Sequence, residues 1–150
     1  RGCERVVVCG HSTGCQSACT FAKHGSPEAV ARLAAVVLQA PVSDQESGGM
    51  EDGTARWLAH ARAVANPANE LMPFEACFAP ITAERFLSLY ETDGQQADDL
   101  FSSYLSDEQL CERLGHLDSL PTLFAFSMAD EYVPAHVDKS TLAERLARAA

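Results

Sequence analysis

Residues 5–15 constrain this chain more than any other stretch. Arg5-Val6-Val7-Val8-Cys9 is an unbroken, β-branched run. Gly10-His11-Ser12-Thr13-Gly14 follows it, and after Gly14 the pattern turns helical. A G-x-S-x-G block between a buried-type strand and a helix is the context in which such a serine serves as a nucleophile. A sharp strand-to-helix turn forces the serine into an unfavourable backbone conformation and crowds its neighbours, and Gly10 and Gly14 are expected to supply the room. The turn lifts the Ser12 hydroxyl clear of the sheet. The Thr13 amide, at the helix start, then points to where negative charge develops on a tetrahedral intermediate. Ser12 is the predicted nucleophile and Thr13 the predicted oxyanion donor.

Two further runs resemble the first. Ala34-Ala35-Val36-Val37-Leu38-Gln39 is closed by Ala40-Pro41, and Thr122-Leu123-Phe124-Ala125-Phe126-Ser127 is opened by Pro121. Continuous apolar runs fit parallel strands covered on both faces, since a half-exposed strand would alternate. Helical spacing is expected over 13–24, briefly after Ser26-Pro27, over 55–64, from Thr82 to Tyr90, from a Ser106-Asp107-Glu108-Gln109 capping box to Gly115, and over 137–149. Ser47-Gly48-Gly49 reads as a loop. The order β-α-β, helices, β-α predicts an α/β fold with right-handed crossovers. Residues 1–150 read as a single domain, with a helical cap inserted at about 45–118 between the second and third strands. Its apolar side chains, including Trp57, Phe74, Phe86 and Phe101, suit either a wall over Ser12 or the packing that cements the cap to the sheet.

A serine nucleophile needs a histidine base, and the histidine needs a carboxylate to fix its tautomer. In this arrangement the chain order is serine, acid, histidine. Asp130 directly follows the third strand and is the predicted acid. Asp44, after the second strand, is the alternative, although helix-capping and loop roles are common for such aspartates. No histidine of the chain fits the base. His136 is too close to Asp130 in sequence to come from a further strand, and it is expected to open the last helix. His11 should diverge from its neighbour Ser12. His24, His60 and His116 precede Asp130. The base is therefore expected after a further strand, outside this chain, which starts at Arg1 and reads as a fragment.

The balance of 11 basic to 21 acidic residues gives a net charge of −10. That argues against nucleic acid or an anionic membrane as partner, because either needs a basic surface. No apolar run approaches the ~18–20 residues of a membrane span, and a cytoplasmic location is expected. Asp98-Asp99 suits either the selection of a cationic substrate or, as the more common case, an exposed pair at a helix N-terminus. Six cysteines without a CxxC pair or a zinc-finger spacing read as free, buried thiols. With no phosphate loop or dinucleotide fingerprint, neither cofactor nor metal is expected.

Four blocks, spread along nearly the whole chain, carry a resemblance: Gly-His-Ser-Thr-Gly-Cys-Gln at 10–16, Leu-Gln-Ala-Pro-Val-Ser-Asp at 38–44, Phe-Ser-Ser-Tyr-Leu-Ser-Asp-Glu at 101–108 and Asp-Glu-Tyr-Val-Pro at 130–134. In this order they resemble a family of α/β-hydrolase-fold proteins, mostly of unknown function. The family is found in fungi, plants and algae and includes siderophore esterase-like proteins. The resemblance implies a partial α/β-hydrolase fold, the family's C-terminal half, whose strands are the fifth to seventh of eight. It implies Ser12 as nucleophile, Asp130 as acid and a histidine near the family's C-terminus. The expected activity is a serine hydrolase acting on a small-molecule carboxylic ester; the alternative is a non-catalytic scaffold of the same fold that binds a ligand or partner. A bare three-strand slab leaves an edge unpaired and a face thinly covered, so instability or oligomerisation is expected of these residues alone, and no oligomeric state is assigned.

Overall fold

The computed structural model describes residues 3–92 and 99–150, and the chain divides into two compact units. One unit comprises residues up to Ser43 together with Leu100–Ala150; the other is Asp44–Asp99.

The first unit is built on a parallel sheet of β1 (Val6–His11), β2 (Leu33–Gln39) and β3 (Thr122–Ala125), in the order β1-β2-β3. β1 runs on through Gly10 to His11, whereas β3 stops before Phe126 and Ser127. His11 pairs with Gln39, and Gln39 with Ala125, so the three strands finish level. Whatever follows each strand therefore stands on one rim, where ligands of open α/β sheets bind.

One face of the sheet carries the core. Cys15, Ala18, Cys19 and Ala22 form the buried stripe of α1 (Gly14–His24), at the spacing that keeps side chains on one helix face. They meet Val36 and Leu38 of β2, Leu110 and Leu114 of α6 (Asp107–Leu114), and Leu142 and Leu146 of α7 (Lys139–Ala149). The one-turn helix α2 (Pro27–Val30) starts where Ser26 accepts a hydrogen bond from the Ala29 amide. Alternate strand residues face the other way, and Val7 is 58% exposed and Leu123 57%. Among the described residues only one face is covered, because α1, α6 and α7 all feed one core; the two covered faces that the apolar runs fit are not seen, whereas the thinly covered face expected of a three-strand slab is.

The boundary of the inserted segment also differs from 45–118. Phe101, Leu105, Leu110, Leu114 and Leu117 are buried in the core of the sheet unit. Their return is fixed by hydrogen bonds. Ser43 Oγ and Ser102 Oγ, both buried, lie 2.7 Å apart. The Arg145 guanidinium of α7 donates to Asp107 Oδ1 at 2.7 Å, to the Ser103 carbonyl at 2.9 Å and to the Leu105 carbonyl. Ser106 and Gln109 close the capping box foreseen for α6. His116 Nε2 donates to the Cys19 carbonyl at 3.0 Å, and burial lowers its pKa.

The second unit holds α3 (Asp44–Gly48), α4 (Thr54–Ala63) and α5 (Ala83–Tyr90). Ala61, Met72, Ala83 and Phe86 make its core, with Trp57, Leu58, Leu87 and Tyr90 packed around them. Phe86 and Tyr90, one turn apart on α5, bring their rings to 4.7 Å. Gly48 is the last residue of α3, ahead of the turn that holds Gly49; a Cβ there would stand 2.3 Å from the Tyr90 ring, so glycine lets α5 approach. Phe74 and Phe78 are exposed. Arg1 and Asp98 lie outside the described residues, and Asp99 is buried.

Leu110→Ala and Leu114→Ala should each cost about 2–5 kcal/mol in urea unfolding, as large-to-small changes in a close-packed core do. Val7→Thr on the open face should stay within about 0.5 kcal/mol of wild type.

Candidate active site

Ser12 follows the last residue of β1 with φ 53°, in the left-handed region that non-glycine residues seldom occupy. Holding it there costs on the order of 1–3 kcal/mol. The surroundings supply that through the end of β2. The Ser12 amide donates to the Gln39 carbonyl at 3.1 Å, and the Cys15 thiol donates to the same oxygen at 3.3 Å. The Cys15 amide donates back to the Ser12 carbonyl at 2.9 Å, which closes the first turn of α1. Thr13 is the N-cap of α1, so its amide belongs to the helix end that favours negative charge.

The two glycines of the motif are not equivalent. A Cβ on Gly10 would fall 2.4 Å from the Gly14 carbonyl and 2.7 Å from the Cys15 backbone, so β1 and α1 can meet only across a glycine. A Cβ on Gly14 would meet nothing within 4 Å among the described residues. The expectation that Gly14 supplies room is corrected.

Ala40 also adopts a positive φ, 47°, and its amide donates to the Ala125 carbonyl at 2.8 Å. This second turn carries the chain off β2, and the loop after β3 rises beside it. Asp130 sits in that loop, half-buried. Its amide donates to the Ser127 carbonyl at 3.2 Å, and its Oδ1 accepts the Tyr132 amide at 3.0 Å. Oδ2 of Asp130 and Oγ of Ser12 accept no hydrogen bond from the described residues.

Ser12 and Asp130 line one cavity of about 360 Å³, with His11, Gln39, Ala40, Val42, Ser127, Ala129, Glu131 and Tyr132. Asp44 is not among them; it begins α3. Of the five histidines, only His11 is among the residues that line this cavity. His24 ends α1, His60 lies in α4, His116 is bonded to Cys19, and His136 lies ahead of α7, whose N-cap is Asp138. Gln39, Ala40, Glu131 and Tyr132 were given no site role in the sequence; the signals for them are their position just at or beyond a strand end and their place in the blocks 38–44 and 130–134.

All six cysteines are free, but only Cys15 and Cys19 are fully buried, and Cys3, Cys9 and Cys111 are exposed. Burial pushes the thiols of Cys15 and Cys19 up to about 12, so both stay protonated near neutral pH and offer no thiolate beside Ser12. Among the described residues there is no cluster of three or more metal-ligating side chains, and no helix is long and apolar enough to cross a membrane.

Over residues 1–150 the sequence matches the family described as Protein of unknown function, DUF1749. The chain belongs to that family. It is 33% identical to the Fusarinine C esterase sidJ of Aspergillus fumigatus over 94% of this chain and 52% of that protein. It is 29% identical to the Esterase AN6793 of Emericella nidulans, over 95% of this chain and 52% of the relative. A solved structure, the Siderophore hydrolase EstB from Aspergillus fumigatus, superposes with a TM-score of 0.75 at 34% identity, covering 97% of this chain and 52% of that one. The fold is a partial α/β-hydrolase fold. The chain spans about half the length of the curated relatives it matches.

Gly10→Ala should cost several kcal/mol, at least about 2, because backbone on both sides must shift. Gly14→Ala should be neutral or stabilising by up to about 1 kcal/mol, since alanine favours the helix it begins. Chemical denaturation of the two variants checks both.

Proposed function

We propose that the chain carries the nucleophile and the acid of a serine hydrolase that cleaves small-molecule carboxylic esters. The observation that bears most weight is the left-handed Ser12 at the strand rim, sharing a cavity with a half-buried Asp130. In this reading Ser12 Oγ attacks the ester carbonyl while a histidine takes its proton. The Thr13 amide donates to the oxyanion, the alcohol leaves with that proton, and water releases the acyl group by the same route. Asp130 Oδ2 receives the ring N–H of the histidine and fixes its tautomer, while Oδ1 stays committed to the Tyr132 amide.

The base is proposed to come from outside these 150 residues. Ser12 Oγ has no base bonded to it among the described residues, and the matched relatives are about twice as long. The relatives' names supply the substrate class: esters of the siderophore type, as in a fusarinine C esterase and a siderophore hydrolase. The unit Asp44–Asp99 is proposed as the helical cap insertion between the second and third strands.

An active-site fluorophosphonate should label a chain that includes the histidine segment, and Ser12→Ala should abolish labelling. Ester hydrolysis should fall by about 10⁴-fold or more in the same variant. Equal labelling of wild type and Ser12→Ala would overturn the assignment and favour a ligand-binding scaffold without catalysis.

A further inference from the structure

Lys139 is the first residue of α7, directly after the N-cap Asp138, at the helix end where a cation opposes the dipole. A side chain that breaks a local rule calls for a compensating contact. Lys139 has two. Its ammonium donates to the Asp130 carbonyl at 2.9 Å and to the Met128 carbonyl at 3.2 Å, and the side chain is half-buried. Both acceptors belong to the loop whose residues Ser127, Ala129, Asp130, Glu131 and Tyr132 line the Ser12 cavity. Val133 and Val137, buried in the core, anchor the chain between the loop and α7. The ammonium thus holds the main chain of Asp130, a residue of the cavity lining, through its carbonyl and not its carboxylate.

We infer that Lys139 is a positioning residue for the reaction: by holding the Met128 and Asp130 carbonyls it fixes the direction of the Asp130 carboxylate. This rests on the proposed role of Asp130 as acid. Removing the ammonium frees two carbonyls and lets the loop turn, so the carboxylate no longer meets the base squarely. Misalignment of a supporting group lowers turnover while leaving substrate binding largely unchanged.

The test is a double-mutant cycle on the chain that includes the histidine segment, with ester hydrolysis as the readout. Lys139→Met should lower kcat by about tenfold with KM within about twofold of wild type, and Lys139→Arg should recover most of the loss. In an Asp130→Asn background, Lys139→Met should change kcat by less than about twofold, because its effect passes through that carboxylate. Equal slowing in both backgrounds would overturn the inference and leave Lys139 a general stabiliser of the loop, as would a Lys139→Met enzyme with wild-type kcat. The acid assignment is judged separately: a fully active Asp130→Asn enzyme would refute it, whatever Lys139→Met does in the wild-type background.

Discussion

The first unit depends on one close approach, that of β1 to α1 across Gly10. The gap there admits no Cβ, since one would stand 2.4 Å from the Gly14 carbonyl. Such contact turns the chain from strand to helix within two residues and sets Ser12 in the left-handed region. The Gln39 carbonyl then holds the turn from the side, accepting from the Ser12 amide and the Cys15 thiol. Backbone strain of this kind persists only where its surroundings over-determine it. Here the packing of Cys15 and Cys19 beneath α1, against β2, supplies that determination.

From that turn the cavity follows. Parallel strands that end level bring the Ser12 turn, the Ala40 turn and the Asp130 loop to a single rim. Core packing lies on one side of the sheet, leaving Val7 and Leu123 uncovered by the described residues. The pinning of the return segment by Ser43–Ser102 and by Arg145 keeps 100–118 in the same core as α1 and α7. It is through these links, and not through the length of the helical stretch, that the chain separates into two units.

Much of this was legible in the residues. The strand-turn-helix at 5–24, the capping box at Ser106 and the α/β order rest on local chemistry, a β-branched run, a side chain that caps and a helical period, which survive in the fold. What was not legible depends on distant partners. Gly10 and Gly14 look alike in the motif, yet only the first faces backbone. Gly48 reads as a loop residue because nothing nearby reveals the Tyr90 ring that presses on it. Leu110, Leu114 and Leu117 have the same apolar character as the residues of the second unit, so the boundary at 99–100 is set by tertiary packing alone. Ala40 at positive φ has no sequence signature, and the place of His11 in the cavity wall follows from how far β1 extends.

The most direct test of the proposed function is the crystal structure of a phosphonate adduct. Phosphorus should be bonded to Ser12 Oγ, with the phosphoryl oxygen about 3 Å from the Thr13 amide nitrogen, as for a tetrahedral intermediate. An imidazole from outside residues 1–150 should bridge toward Asp130 Oδ2. Phosphorus on any other side chain, or a phosphoryl oxygen turned away from Thr13, would contradict the account.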